Sequence, residues 1–312
     1  MYTSLFSAID VGDRRLENRI TMAPLYLGYA AGGGWISPML LEHYRLMAQS
    51  GAALITVENA TVDHPAGSGS NRTIRLDTDE NLSGLKELAE EIQKQGALAC
   101  IQINHAGRFA ASAEPVAPSA VDTFGRRPRA LSLDEIRDIC DKFRNAAGRA
   151  KAAGFDMIEL HGGTGYLISQ FVSPRTNQRA DAYGGSLENR MKFPLEVLSA
   201  VKSEVGDLPV GYRFLADEFL DDGLKPGEST VLAKKLSEAG VAYLSVMGGT
   251  YESFTKPQII QQSKTEGYMA DLAGEVKRHA AVPVIAAGRI ASGQTAEAII
   301  ADGKAHVVGL AR

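Results

Sequence analysis

Cysteine is scarce in this 312-residue chain: Cys100 and Cys140 are the only two, and no Cys-x-x-Cys pair occurs. That count leaves no disulfide framework and no iron-sulfur or zinc-ribbon spacing within these residues, and it suits a reducing, cytoplasmic setting. Long hydrophobic runs are missing as well. The first twenty residues lack the apolar stretch of a secretory leader, and no run elsewhere reaches the length of a membrane span. Neither sign of charge dominates: 33 Lys plus Arg face 37 Asp plus Glu, for a formal net charge of −4. No positive field is therefore present to gather nucleic acid or anionic lipid. There is no His-Glu-x-x-His, no Cys/His cluster and no acidic calcium loop, so no metal is expected. The Gly-x-Gly-x-x-Gly fingerprint of a resident dinucleotide is absent too.

What is present is an ordinary globular balance, 45% hydrophobic and 22% charged, sufficient for one large core and a small-molecule partner. Short apolar, β-branched runs recur near Ile20–Ala23, Ala53–Val57, Leu98–Ile103, Met157–Leu160, Val210–Phe214, Tyr243–Val246, Val284–Ala287 and His306–Leu310. Seven amphipathic segments separate these eight runs. Ser37-Pro38 and the Ser132/Glu135 capping box mark two helix starts, and Gly51, Gly96, Gly154 and Gly240 mark helix ends. The pattern predicts an α/β fold, a (β/α)₈ TIM barrel formed as one domain over residues 1–312; an open doubly wound sheet is the alternative. The chain stops at Arg312 directly after the eighth strand, so the eighth helix is expected to be missing from it, with truncation at the C-terminus as one explanation.

In such barrels chemistry sits at the carboxyl ends of the strands, and polar residues accumulate there. Pro24-Leu25-Tyr26 follows the first strand and Glu58-Asn59-Ala60 the second; Gln102, Asn104, His105 and Arg108 lie in and after the third. His161-Gly-Gly-Thr164-Gly-Tyr166 closes the fourth, the fifth carries Arg213, and Gly248-Gly249, Gly288-Arg289 and Arg312 close the last three. The late glycines and arginines suit a phosphate, or simply tight turns with local ion pairs. Gln102, inside an apolar strand, matches the donor–acceptor edge of a flavin pyrimidine ring or is a satisfied core amide. Arg213 can stabilise negative charge on a reduced flavin or belong to a buried ion pair. His161 and Tyr166 together suggest an imidazole that holds a substrate oxygen and a phenol that transfers a proton.

Several segments resemble the Old Yellow Enzyme, or NADH:flavin oxidoreductase, family, to which 2,4-dienoyl-CoA reductase and trimethylamine dehydrogenase are related. They are NRITMAP (18–24), HYRLMAQSGAALITVE (43–58), QINHAGR (102–108), PVAPSA (115–120), the long run from Gly154 to Arg190, PVGYRFLADEF (209–219) and PVIAAGRI (283–290). The resemblance implies FMN held by Pro24, Leu25, Tyr26, Ala60, Gln102 and Arg213, with Gly288, Arg289, Ala311 and Arg312 at its phosphate. It further implies NADH or NADPH as a transient reductant, a substrate carbonyl held by His161 and Thr164, and a proton donor in Tyr166. Two positions depart from the family pattern: Thr164 stands where His or Asn is usual, and Tyr26 where a small Thr or Cys is usual.

The activity expected from this resemblance is ene-reduction, the transfer of hydride to the C=C bond of an α,β-unsaturated carbonyl compound. One alternative is the barrel module of a larger Fe-S flavoenzyme of the enoate reductase, dienoyl-CoA reductase or amine dehydrogenase type, with C-terminal Fe-S and nucleotide-binding domains. Another is a flavin-binding module with little catalysis of its own. Self-association as a homo-oligomer is compatible with all three.

Overall fold

The computed structural model describes residues 2–311. Eight parallel strands close on themselves: β1 (Ile20–Met22), β2 (Leu54–Thr61), β3 (Leu98–Asn104), β4 (Met157–Gly162), β5 (Val210–Asp217), β6 (Leu244–Gly248), β7 (Val284–Ala287) and β8 (Val307–Leu310). They follow chain order around the barrel, and β8 returns onto β1 with Val308 opposite Ile20. Closure leaves no strand edge unpaired, which settles the choice between barrel and open sheet. The crossovers carry α1 (Pro38–Ala48), α2 (Leu82–Gln93), α3 (Leu133–Ala152), short α4 (Leu167–Val172) with α5 (Leu187–Val205), α6 (Pro226–Glu238), short α7 (Pro257–Gln262) with α8 (Ala270–Lys277), and α9 (Gly293–Ala301).

Helix ends form as their residues dictate. Ser37 Oγ accepts from Leu40 N–H at 3.2 Å, while Ser132 and Glu135 exchange side-chain-to-backbone bonds at 3.2 and 2.8 Å. Gly51, Gly96, Gly154 and Gly240 all take positive φ, between +79° and +87°, and turn the chain into the next strand. No helix among the described residues is long and apolar enough to cross a membrane.

The two ends of the barrel differ. An antiparallel hairpin, Ile9–Val11 with Arg14–Leu16, covers the amino-terminal mouth, where buried Val11 and Leu16 pack with Leu54, Cys100, Met157, Tyr243, Ile285 and Val307 near the strand starts. At the other end β2 and β5 run beyond their apolar runs, to Thr61 and Asp217. The polarity of Glu58 and Asn59 suggests a strand end, yet both are buried within β2. Pairing slips one step there, between Val57 and Ala60 against β3, and again between Met247 and Gly248 against β5. Both bulges lie at the carboxyl end, where a local kink re-aims side chains into the mouth.

Candidate active site

A cavity of about 620 Å³ opens at the carboxyl ends of β1, β5, β7 and β8 and is lined by Ala23–Leu25, Arg213, Phe254, Tyr268, Ala287–Ile290 and Gly309–Ala311. Its volume falls within the range of small-molecule and cofactor sites. Backbone comes close on one side. Gly288 has φ +126°, a conformation L side chains rarely adopt, and a Cβ there would press the Met269 side chain at 3.1 Å. Arg289 is exposed, adopts φ +46° and borders the same cavity, as do Ala311 and partly buried Leu25. Arg312 lies outside the described residues.

The polar groups in and beside this cavity come from inward-facing strand positions, Arg213 partly buried and Gln102 fully so. Arg213 donates from Nη1 to Ser245 Oγ at 2.8 Å. Gln102 donates its Nε2 to Glu159 Oε1 at 2.7 Å, which leaves the amide oxygen Oε1 as its remaining acceptor. Ala60 is fully buried at the β2 bulge. Tyr26 stands apart from the cavity lining, largely exposed, and its phenol bonds Ser70 Oγ at 2.5 Å. The side-chain oxygens of Asn59 and Asn104 are buried at this end without a partner among the described residues, as befits a site that a polar ligand completes. A guanidinium, a free amide oxygen, orphaned amide oxygens and exposed glycine backbone together fit FMN, whose ring edge alternates donors and acceptors and whose phosphate needs N–H groups and cations.

The second cluster faces the same mouth. His161 lies near the end of β4, and Tyr166 caps the start of α4; their rings meet edge to face, centroids 4.8 Å apart. The backbone N–H of Gly163 donates to His161 Nδ1 at 3.2 Å, so the ring proton resides on Nε2 and that nitrogen is a donor. Burial, together with the nearby charge of Arg213, lowers the imidazole pKa to about 3, and the ring stays neutral at physiological pH. Burial raises the Tyr166 phenol well above the usual range, so it holds its proton. Its hydroxyl pairs with Tyr251 OH at 2.7 Å. Thr164 sits between them with φ +59°, its hydroxyl directed at Met247 Sδ at 3.4 Å.

Other strand-end residues serve the scaffold. His105 Nδ1 accepts from Gly107 N–H at 3.0 Å, and buried Arg108 donates to Glu252 at 2.6 Å and to Thr123 at 3.1 Å. Glu58 accepts from Leu27 N–H at 3.0 Å and so ties down the loop after β1; burial raises its carboxyl to about 7. Sequence reading missed Tyr251 and Glu159 as members of the site. Tyr251 comes two residues after the Gly248-Gly249 signal, whereas Glu159 sits inside an apolar strand, where the same argument that singled out Gln102 applies to it.

A closed parallel barrel with a cofactor-sized cavity and a neutral histidine–tyrosine pair at its carboxyl mouth defines a flavin-barrel oxidoreductase. The model of the NADH:flavin oxidoreductase / NADH oxidase family matches residues 4–312, and the chain belongs to that family. FMN is accordingly its cofactor. The chain is 44% identical to an NADH oxidase of Thermoanaerobacter brockii over 320 residues, 100% of this chain and 49% of that protein. It is 37% identical to an NADPH dehydrogenase of Bacillus pumilus, covering 100% of this chain and 91% of the other. A solved 2-naphthoyl-CoA reductase complexed with 2-naphthoyl-CoA superposes with a TM-score of 0.95 at 28% identity, over 100% of this chain and 50% of that one. The chain thus spans about half the length of the first of these relatives.

Proposed function

We propose that this barrel reduces the C=C bond of an α,β-unsaturated carbonyl compound, with NADH or NADPH as the source of hydride. The neutral imidazole of His161, its Nε2–H free and its ring against Tyr166, carries the reading. Bound FMN supplies hydride-transfer chemistry. The chain supplies the rest. His161 Nε2–H donates to the substrate carbonyl oxygen and polarises the conjugated alkene, with Thr164 Oγ1 as a second, shorter donor. Tyr166 OH gives a proton to the α-carbon, and its pairing with Tyr251 keeps the phenol oriented. Gln102, Arg213, Ala60, Pro24 and Leu25 hold the ring of FMN, Tyr26, outside the cavity lining, meets it only at its open edge, and Gly288, Arg289, Ala311 and Arg312 bind the phosphate. The names of the relatives, NADH oxidase and NADPH dehydrogenase, support the reductant, and a naphthoyl-CoA reductase supports an unsaturated carbonyl as acceptor.

Half-length coverage of the first relative favours a second reading, in which the barrel is one module of a longer flavoenzyme whose electrons arrive through other domains. One experiment separates the two. Purified holoprotein is mixed anaerobically with NADH or NADPH and then with 2-cyclohexenone, in wild type and Tyr166→Phe. Bleaching by the nicotinamide and reoxidation by the enone are expected. Tyr166→Phe should slow reoxidation by ~10²- to 10⁴-fold while leaving bleaching within about twofold. Protein that ignores both nicotinamides supports the module reading, and equal slowing of both steps removes Tyr166 from its role.

A further inference from the structure

Below the cavity lies a charged group that the functions assigned so far leave unused. Glu159 is 1% exposed, in the middle of β4. Its Oε1 accepts from Gln102 Nε2 on β3 at 2.7 Å, and its Oε2 accepts from Tyr243 OH, just ahead of β6, at 3.0 Å. β4 and β6 flank β5, so the second bond crosses the barrel interior, through space left by Gly211, where a Cβ would lie 2.1 Å from the Tyr243 ring. Tyr243 OH also meets Cys100 Sγ at 3.6 Å. With the phenol proton given to Glu159, the thiol is the donor to the phenol oxygen. Every proton in this chain therefore points towards Glu159, the arrangement an acceptor-only carboxylate takes; burial raises its pKa, and Arg213, Gln102 and Tyr243 all oppose that rise. Arg213 sits one inward step further along: it is in register with His161, while Glu159 is in register with Gly211.

We infer that Glu159 is the positioning residue of the FMN cradle, fixing the Gln102 amide with its oxygen towards the ring and offsetting the positive charge of Arg213 beneath it. The inference rests on the reading that Gln102 and Arg213 hold FMN. Its two parts have separate consequences. Orientation follows from the 2.7 Å bond: with one N–H of its NH₂ group held by a carboxylate, the Gln102 amide is fixed in one rotamer and keeps its carbonyl oxygen and second N–H for a ligand. Charge balance follows from placement, because in a buried site one carboxylate near a guanidinium weakens the field that favours an anionic, reduced ring.

The test is made on holoprotein, by measuring the dissociation constants of oxidised and dithionite-reduced FMN together with the midpoint potential. In Glu159→Gln the preference for reduced over oxidised FMN should rise about tenfold, equivalent to ~30 mV for a two-electron couple. Glu159→Asp keeps the charge but shortens the reach; it should weaken binding of both forms while leaving their ratio close to wild type. An unchanged ratio in Glu159→Gln, or the same change in Glu159→Asp, overturns the inference. Should Glu159→Gln fail to fold, Glu159→Asp carries the test through the positioning role: unchanged affinity for both forms of FMN there overturns the inference equally. Gln102→Leu and Arg213→Met serve as the reference. If neither alters FMN affinity or potential, the cradle reading itself is wrong; if they do and Glu159→Gln does not, only the role of Glu159 falls.

Discussion

At the scale of single residues, Thr164 combines two disadvantages. Its φ of +59° is strained for any side chain and most so for a β-branched one, while Asn and His are enriched in that conformation. The residues the family usually places here are thus the ones its backbone tolerates best. The Thr164 hydroxyl also spends itself on Met247 Sδ, a weak acceptor, at 3.4 Å. Thr164→Asn should therefore stabilise the fold by about 1 kcal/mol through relief of strain and, with a longer amide donor, lower the KM for a cyclic enone. Thermal melting and steady-state kinetics check the two effects separately. A lower melting temperature would show that the Met247 contact outweighs the backbone strain. The sequence shows the family departure at Thr164, but φ depends on how β4 hands over to α4 and is visible only in three dimensions.

At the scale of elements, the segment between β6 and α8 is where the sequence says least. It carries Tyr251 to the hydroxyl of Tyr166 and Phe254 to the cavity wall, yet it contains no strand and only short α7. What anchors it is Glu252, which accepts from Arg108 at 2.6 Å and from Arg175 at 3.2 Å. Arg108 is almost wholly buried, so Glu252→Ala leaves an uncompensated cation inside and should cost ~3–5 kcal/mol. Faster amide exchange across residues 250–256, beyond any change in the barrel strands, would confirm that the pair holds this segment in place; uniform acceleration would mean it supports the whole fold instead. The strands and their helices were legible in the sequence because apolar runs and caps are local signals. The Glu58–Thr61 extension of β2 and the Glu252 anchor were not, since each depends on a partner far along the chain, and the amino-terminal hairpin was not because its strands are only three residues each. Gln102, His161 and Tyr166 stood out as polar residues among apolar neighbours, whereas Tyr251 needed the loop fold to bring it to Tyr166.

At the scale of the whole molecule, stability and catalysis share the same buried titratable groups, and pH links them. His161 has its pKa lowered from 6.5 to about 3, so between these values the unfolded chain binds a proton that the native barrel refuses. The stability this histidine contributes is complete above pH ~6.5 and is lost as pH falls towards 3. Glu58, raised to about 7, acts in the opposite sense: its contribution is present below its unfolded pKa and is lost as pH rises through 7. A raw melting profile mixes these signs, along with those of the buried carboxyls Glu159 and Glu218, which burial also raises. The difference between wild type and His161→Gln cancels every group but one. Whatever the stability gap at pH 7, it should move in favour of the variant by at most ~1.4 kcal/mol per pH unit between pH 6.5 and about 4. Urea unfolding at stepped pH measures this directly. Parallel curves would mean that His161 protonates in the folded barrel near its ordinary value, and the neutral donor on which the proposed carbonyl polarisation depends would be lost at mildly acidic pH.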